Sequence, residues 1–318
     1  MEGLAEEGED EYAWELAVNL APLHEARGYL DHWDRTHRKA LTVVRRRGNR
    51  LGEAALLASL GSLHLNRRDL PGAREALTAA AELFEQLGHD KGLGLCRRDL
   101  GIVARLTGRD RSAMRLFEEA QGCFDRCGDP WARATVLIQR AVILLRQGDV
   151  RRVETELNEA LQIWRGLGYV GGQARVLLRV GQLLVYRKQF EEARKVLSEG
   201  LHMVLADGDV IGEGYMLHDL GRIHADLGEL TGAAEFFDRA LALREGILDQ
   251  AGAASVRVDL AALSLRAERA ERAGSLLAEA VEVFGRLGMV EEQARAARLR
   301  ARLHPVRSAD GIEAPAAE

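Results

Sequence analysis

The sequence predicts an all-α fold: a right-handed solenoid of about seven helix-turn-helix repeats, closed by a C-terminal capping helix. Three observations predict it. One pattern of residues recurs every 40 positions along most of the 318-residue chain. Some columns of that pattern never hold a bulky side chain, while others hold large apolar ones. Glycines mark the ends of the helix-length stretches between them.

In chain order, residues 1–11 are an acidic lead-in expected to be flexible. The helical period begins at Tyr12 and divides into units 12–50, 51–90, 91–130, 131–170, 171–210, 211–250 and 251–290. Residues 291–303 form an Arg-rich capping helix, and 304–318, with Pro305 and Pro315, form a tail expected to be disordered.

A reference column reads Ala21, Gly61, Gly101, Ala141, Gly181, Gly221, Ala261 and Ala301. A position that admits only Gly or Ala marks a close approach of two helices. Nineteen residues on, Ala40, Ala80, Ala120, Ala160, Gly200, Ala240 and Ala280 repeat the restriction. Seven residues before the reference, Ala54, Gly94, Ala134, Ala174, Gly214, Ala254 and Ala294 do so again, and only Trp14 breaks it. Sixteen after it stand Leu77, Phe117, Leu157, Leu197, Phe237 and Leu277, with His37 the exception. Small columns facing large ones let helices interlock at ordinary packing density.

The punctuation agrees. Gly28, Gly108, Gly148 and Gly228 sit between the two helices of a unit, with Asp149 and Glu229 placed to cap the second helix. Gly48, Gly88, Gly128, Gly168, Gly208 and Gly288 end the second helix in the left-handed manner. Asp129-Pro130 reads as a cap followed by a first-turn proline.

Composition narrows the function. With 47% apolar and 29% charged residues, the chain is of folded helical type. A net charge of −5 argues against direct, nonspecific nucleic-acid binding. Only four of the 44 basic residues are Lys, which fits either GC-rich codon usage or a set of Arg forks for carboxylates and phosphates. Three cysteines fit a reducing compartment. No apolar run is long enough to span a membrane and no signal segment opens the chain, so a cytoplasmic protein is expected.

No constellation supports catalysis. The P-loop, dinucleotide, H-E-x-x-H and G-x-S-x-G signatures are all missing, so neither an enzyme nor a cofactor is expected. Cys123 and Cys127 lie one turn apart but share columns with leucines and isoleucine, and read as core rather than metal ligands. Cys96 reads as inert. His24, His64 and His224 share a column, so repetition explains them better than ligation.

Small residues at the reference, Gly-Asp/Glu in the turn, and Ala73, Ala113, Ala193, Ala233 and Ala273 five residues after the turn position resemble the tetratricopeptide repeat. That repeat has a period of roughly 34 residues. Here both helices and the connecting turn are longer. Arrays of this longer kind resemble the C-terminal sensor regions of bacterial antibiotic-regulatory-protein activators and of signal-transduction ATPases, a style visible in residues 60–92. The resemblance implies that ligands contact the concave face of the first helices. The family's contact columns fall here on Arg98, Asp99, Arg105, Gln139, Arg146, Arg179, Gln182, Tyr186, His218, Asp219, Arg222 and Asp226. The second unit, with Ala58, Ser59, Ser62, Leu65 and Asn66, is bland in those columns. The family's carboxylate clamp for peptide C-termini is not reproduced.

The expected function is a non-enzymatic interaction or sensor module. Its partner would be a protein segment, a peptide or another domain of the same regulator. A stand-alone receptor for a signalling peptide, and a scaffold that assembles a complex or self-associates, are the alternatives.

Overall fold

A computed structural model describes residues 9–26, 29–301 and 303. Among them the chain forms fifteen helices and no strand. They are α1 (Glu9–Ala26), α2 (Leu30–Arg47), α3 (Arg50–Asn66), α4 (Leu70–Gln86), α5 (Asp90–Leu106), α6 (Asp110–Cys127), α7 (Pro130–Gln147) and α8 (Val150–Gly166). There follow α9 (Val170–Tyr186), α10 (Phe190–Asp207), α11 (Val210–Asp226), α12 (Leu230–Gly246), α13 (Gln250–Arg266), α14 (Ala270–Arg286) and α15 (Val290–Ala301). Most of the acidic lead-in, Gly28 and the C-terminal tail lie outside the described residues. Helix α1 opens at Glu9, within the stretch read as lead-in.

Local chemistry sets the helix ends. The Asn49, Asp69, Asp129, Asp149, Asp209 and Asp249 side chains each accept the backbone N–H three residues on, satisfying a donor that the first turn leaves open. Pro130 follows Asp129 at the first helical position, where its missing N–H costs nothing. Glu229 departs from the expectation: its carboxylate makes no capping bond and instead lies 2.6 Å from His224 Nδ1. The left-handed turns extend beyond the glycines. Arg68, Lys188, Leu248 and Glu268 occupy the same turn positions with φ between 57 and 61°.

The chain forms two compact units, one ending at Ile223 and one starting at His224. In the first, Gly61, Gly101 and Gly181 each lie under the large residue of their own hairpin. A Cβ added at Gly101 would stand 2.5 Å from the Phe117 ring, and one at Gly181 would stand 2.5 Å from Leu197. The large column is buried, at 1% exposure or less for Leu77, Phe117 and Leu197. In the second unit, Ala254, Val258, Ala261, Ala273, Leu277, Ala280, Phe284 and Ala296 make one cluster that joins α13, α14 and α15.

A further small column lies nine residues before the reference: Gly52, Gly92, Ala132, Gly172, Gly212 and Gly252. It receives the last large residue of the preceding hairpin. A Cβ at Gly92 would meet the Phe84 ring at 2.5 Å, and one at Gly172 the Trp164 ring at 2.3 Å. This contact is the joint between successive hairpins.

One core reading needs correction. Cys123 is buried, but Cys127 is exposed. The column it shares with Leu87 and Leu167 is itself 41–46% exposed at those leucines, because it sits in the last turn of the second helix, past the hairpin contact. Cys96 is buried, and burial pushes its thiol up to about 12, which leaves it unreactive.

Candidate ligand-binding face

In the first unit the exposed side of the first helices carries polar residues that the repeat itself does not require. On α5, Asp99 is buried and accepts hydrogen bonds from Arg98 Nε at 2.8 Å and from Ser62 Oγ of α3 at 3.2 Å. Burial opposes the Arg98 charge, but the Asp99 carboxylate outweighs it and raises the guanidinium above its ordinary range. Three repeats on from that link, Gln182 Nε2 donates to Asp219 at 2.7 Å, and Gln182 Oε1 accepts from Arg179 at 2.8 Å. Asp99 and Asp219 occupy the same column, as do Ser62 and Gln182. One polar link between neighbouring first helices is thus used twice.

Five of the sequence-derived residues meet in one place. Arg146, Arg179, Gln182, Asp219 and Arg222 line a cavity of about 330 Å³ between α7, α9 and α11. Its remaining walls are Ala141, Val142, Leu145, Val153, Val185 and Leu197. Arg146 also reaches Asp110 of the preceding hairpin at 2.6 Å. Arg222 lies 3.7 Å from Asp219. Burial, opposed by Asp219, lowers the pKa of Arg179.

The other seven stand apart from the cavity lining. Arg98 and Asp99 form the link just described. Arg105 lies on α5, and burial together with the charges of Arg179, Arg146 and Arg68 lowers it to about 10. Gln139 is half-buried on α7. Tyr186 is 55% exposed at the end of α9, and its hydroxyl stands 3.1 Å from where a Cβ on Gly148 would lie. His218 is half-buried on α11. Asp226 is exposed and belongs to the second unit.

The second hairpin is not bland. Ser59 Oγ accepts the Trp33 indole N–H at 3.0 Å and lies 2.8 Å from His37 Nε2. His37 Nδ1 is 2.9 Å from the Trp33 carbonyl, which can only accept, so the proton sits on Nδ1 and Nε2 accepts from Ser59. This Ser–His pair is buried, and every polar atom in it is used internally. It is a packing device. The signal for it was His37, the one polar residue in its column; Ser59 gave none.

A wider, shallower depression of about 840 Å³ lies along α10, lined by Val170, Lys195, Ser198, Glu199, His202 and Met203 among others. Nothing in the repeat pattern marks it. No group of three or more metal-ligating side chains is assembled among the described residues, and no helix there is long and apolar enough to cross a membrane.

Comparison with known proteins places the fold. Residues 215–250 match the tetratricopeptide-repeat family model. No curated protein is significantly similar in sequence. Among solved structures, NprR in complex with its cognate peptide NprX superimposes with a TM-score of 0.64 at 13% identity, over 91% of this chain and 83% of that one. A Rap protein complexed with competence and sporulation factor gives 0.62 at 13%, over 92% and 98%. A signal transduction ATPase with a tetratricopeptide-repeat sensor from Pyrococcus horikoshii gives 0.60 at 15%, over 92% of this chain and 48% of that one. The chain therefore carries a tetratricopeptide repeat and has the all-α helical-repeat fold of the solved tetratricopeptide-repeat proteins.

Proposed function

We propose that the chain is a non-enzymatic module that binds a peptide or protein segment on the first-helix face of its first unit, as the sensor region of a bacterial signalling or transcription regulator. The observation that carries the reading is the cavity between α7, α9 and α11, where Arg146, Arg179, Gln182, Asp219 and Arg222 surround aliphatic walls. A concave, mostly apolar site with a few convergent polar groups is the usual form of a ligand pocket. Neighbours of the same fold complexed with a competence and sporulation factor and with a cognate peptide support it. The regulator context rests on the sensor-bearing ATPase neighbour and on the sequence style of the repeats.

The test compares capture of native partners by the wild-type chain and by Arg179→Glu/Arg222→Glu. Loss of specific capture with unchanged helicity and melting is expected. Equal capture by both proteins would place the partner on another face.

A further inference from the structure

Two arginines of the first unit break their columns in the same sense. Arg105 stands where other repeats place Leu65, Leu145, Val185 and Leu265. Arg179 stands in a column that holds Asn19, Ser59 and Gln139 and, in three repeats, Asp99, Asp219 and Asp259, but no other cation. Neither change serves stacking, which the small and large columns already complete. Both bring positive charge to one region: Arg105 feels the charges of Arg179, Arg146 and Arg68, with Asp110 the acid that offsets them. Arg146 already leans on Asp110.

The same region holds hydrogen-bonding groups with no partner among the described residues. Arg105 Nε, Arg179 Nε and Gln139 Oε1 are all buried and unbonded there. Gln139 holds the column of Arg179 in the hairpin between these two arginines. A buried polar atom without a partner is costly, so three in one region need an occupant or a reason. The adjoining cavity supplies aliphatic walls in Val142, Leu145, Val153, Val185 and Leu197.

We propose that this face selects an acidic peptide segment: Arg105 and Arg179 hold a carboxylate, and a neighbouring aliphatic side chain of the ligand fills the cavity. The inference rests on the peptide-binding reading above and adds its ligand class. A guanidinium fork matches a carboxylate in two parallel hydrogen bonds. The aliphatic walls favour a peptide over a nucleic acid strand, which needs aromatic platforms to stack its bases. The carboxylate belongs either to an Asp or Glu side chain or to a chain terminus.

The experiment immobilises the full chain and selects from a random hexapeptide library made in two forms, free acid and C-terminal amide. Asp or Glu beside Leu, Ile or Val is expected among the selected peptides. Selection that survives amidation assigns the carboxylate to a side chain, and selection confined to the free acid assigns it to the terminus. Arg105→Gln and Arg179→Gln are each expected to weaken the selected peptide about tenfold or more by fluorescence anisotropy. Arg105→Leu installs the side chain of the other repeats, so it is expected to fold and still lose binding. Selection of neutral or basic peptides overturns this inference and leaves the peptide-binding reading standing. Acidic peptides that ignore all three substitutions remove the site assignment. No selected peptide, or tighter binding of a single-stranded oligonucleotide, overturns both readings.

Discussion

At His37 the chain places an imidazole where the other repeats place leucine or phenylalanine. The ring is fully buried and satisfied only as the neutral form, with Nδ1–H on the Trp33 carbonyl and Nε2 on Ser59. Burial lowers its pKa from 6.5 to about 4. The unfolded chain therefore binds a proton between these values that the folded chain refuses, so stability rises with pH across that window and is lost as pH falls. The difference is worth about 3 kcal/mol by pH 4. Urea titrations from pH 7 to 4 are expected to show this slope, and His37→Leu to flatten it; an unchanged slope in the variant would falsify the assignment. Leu248 offers a second test. It is 74% exposed in a left-handed turn with φ 60°, where six other units use glycine. Leu248→Gly is expected to raise stability by about 1 kcal/mol, read as a higher melting temperature. Sequence alone exposed His37 as a column exception but hid Ser59, because a serine in a mixed column carries no sign of a partner 22 residues away. A similar hidden coupling joins His64 to Gly72 and His224 to Gly232: a Cβ at either glycine would lie under 3 Å from the histidine Nδ1.

Between helices, the joints repeat and the departures carry information. Gly61, Gly101 and Gly181 receive the large residue of their own hairpin, and Gly92 and Gly172, in the column nine residues before the reference, receive the last large residue of the hairpin before. Gly101→Leu is expected to cost about 3 kcal/mol, since a side chain there would overlap Phe117 and the helices would have to separate. Thermal melts of that variant check the joint. Within α7 and α8, Arg140 and Glu156 replace pairs that elsewhere are apolar, such as Leu100 with Leu116 and Leu260 with Leu276. They meet at 2.6 Å with Glu156 buried and Arg140 half-buried, and burial raises the Glu156 pKa against the pull of Arg140. Glu156 Oε2 has no partner among the described residues. Desolvation of such a pair roughly cancels its attraction. Arg140→Leu alone, which strands the carboxylate, is expected to destabilise by about 3–5 kcal/mol. Arg140→Leu/Glu156→Leu is expected to match or exceed the wild type, and a double variant as weak as the single one would reverse this account. The repeat joints were legible because each unit restates them. The ion pair was not: one Arg and one Glu sixteen residues apart look like surface charge until the columns they interrupt are aligned.

For the first unit as a whole, stability is built from neighbours. Helix α3 packs on α4 and α5, α5 on α6 and α7, and α7 on α8 and α9, so each hairpin depends on the hairpins beside it. Such a stack has no central core whose loss unfolds everything at once. The candidate face inherits this arrangement, since its cavity is assembled from α7 to α11 and draws nothing from α1 to α4. Gly61→Leu, which forces a side chain onto Leu77 in the second hairpin, therefore makes a directional prediction. In hydrogen exchange read by mass spectrometry, amides of α3 and α4 are expected to lose the most protection. Those of α1, α2, α5 and α6 are expected to lose part of theirs, and those of α9 and α10 to keep theirs, because opening free energies differ among contiguous segments of a stacked array. Peptide affinity in the same variant is expected to fall by less than the roughly tenfold expected of Arg105→Gln. Of the binding face only α5, which carries Arg105, is loosened, and the α7–α11 cavity is not. A globally cooperative unit would instead lose binding in step with its stability. Uniform loss of protection from α1 to α10 would show that the unit folds as a single cooperative body and that occupancy at its binding face is felt throughout.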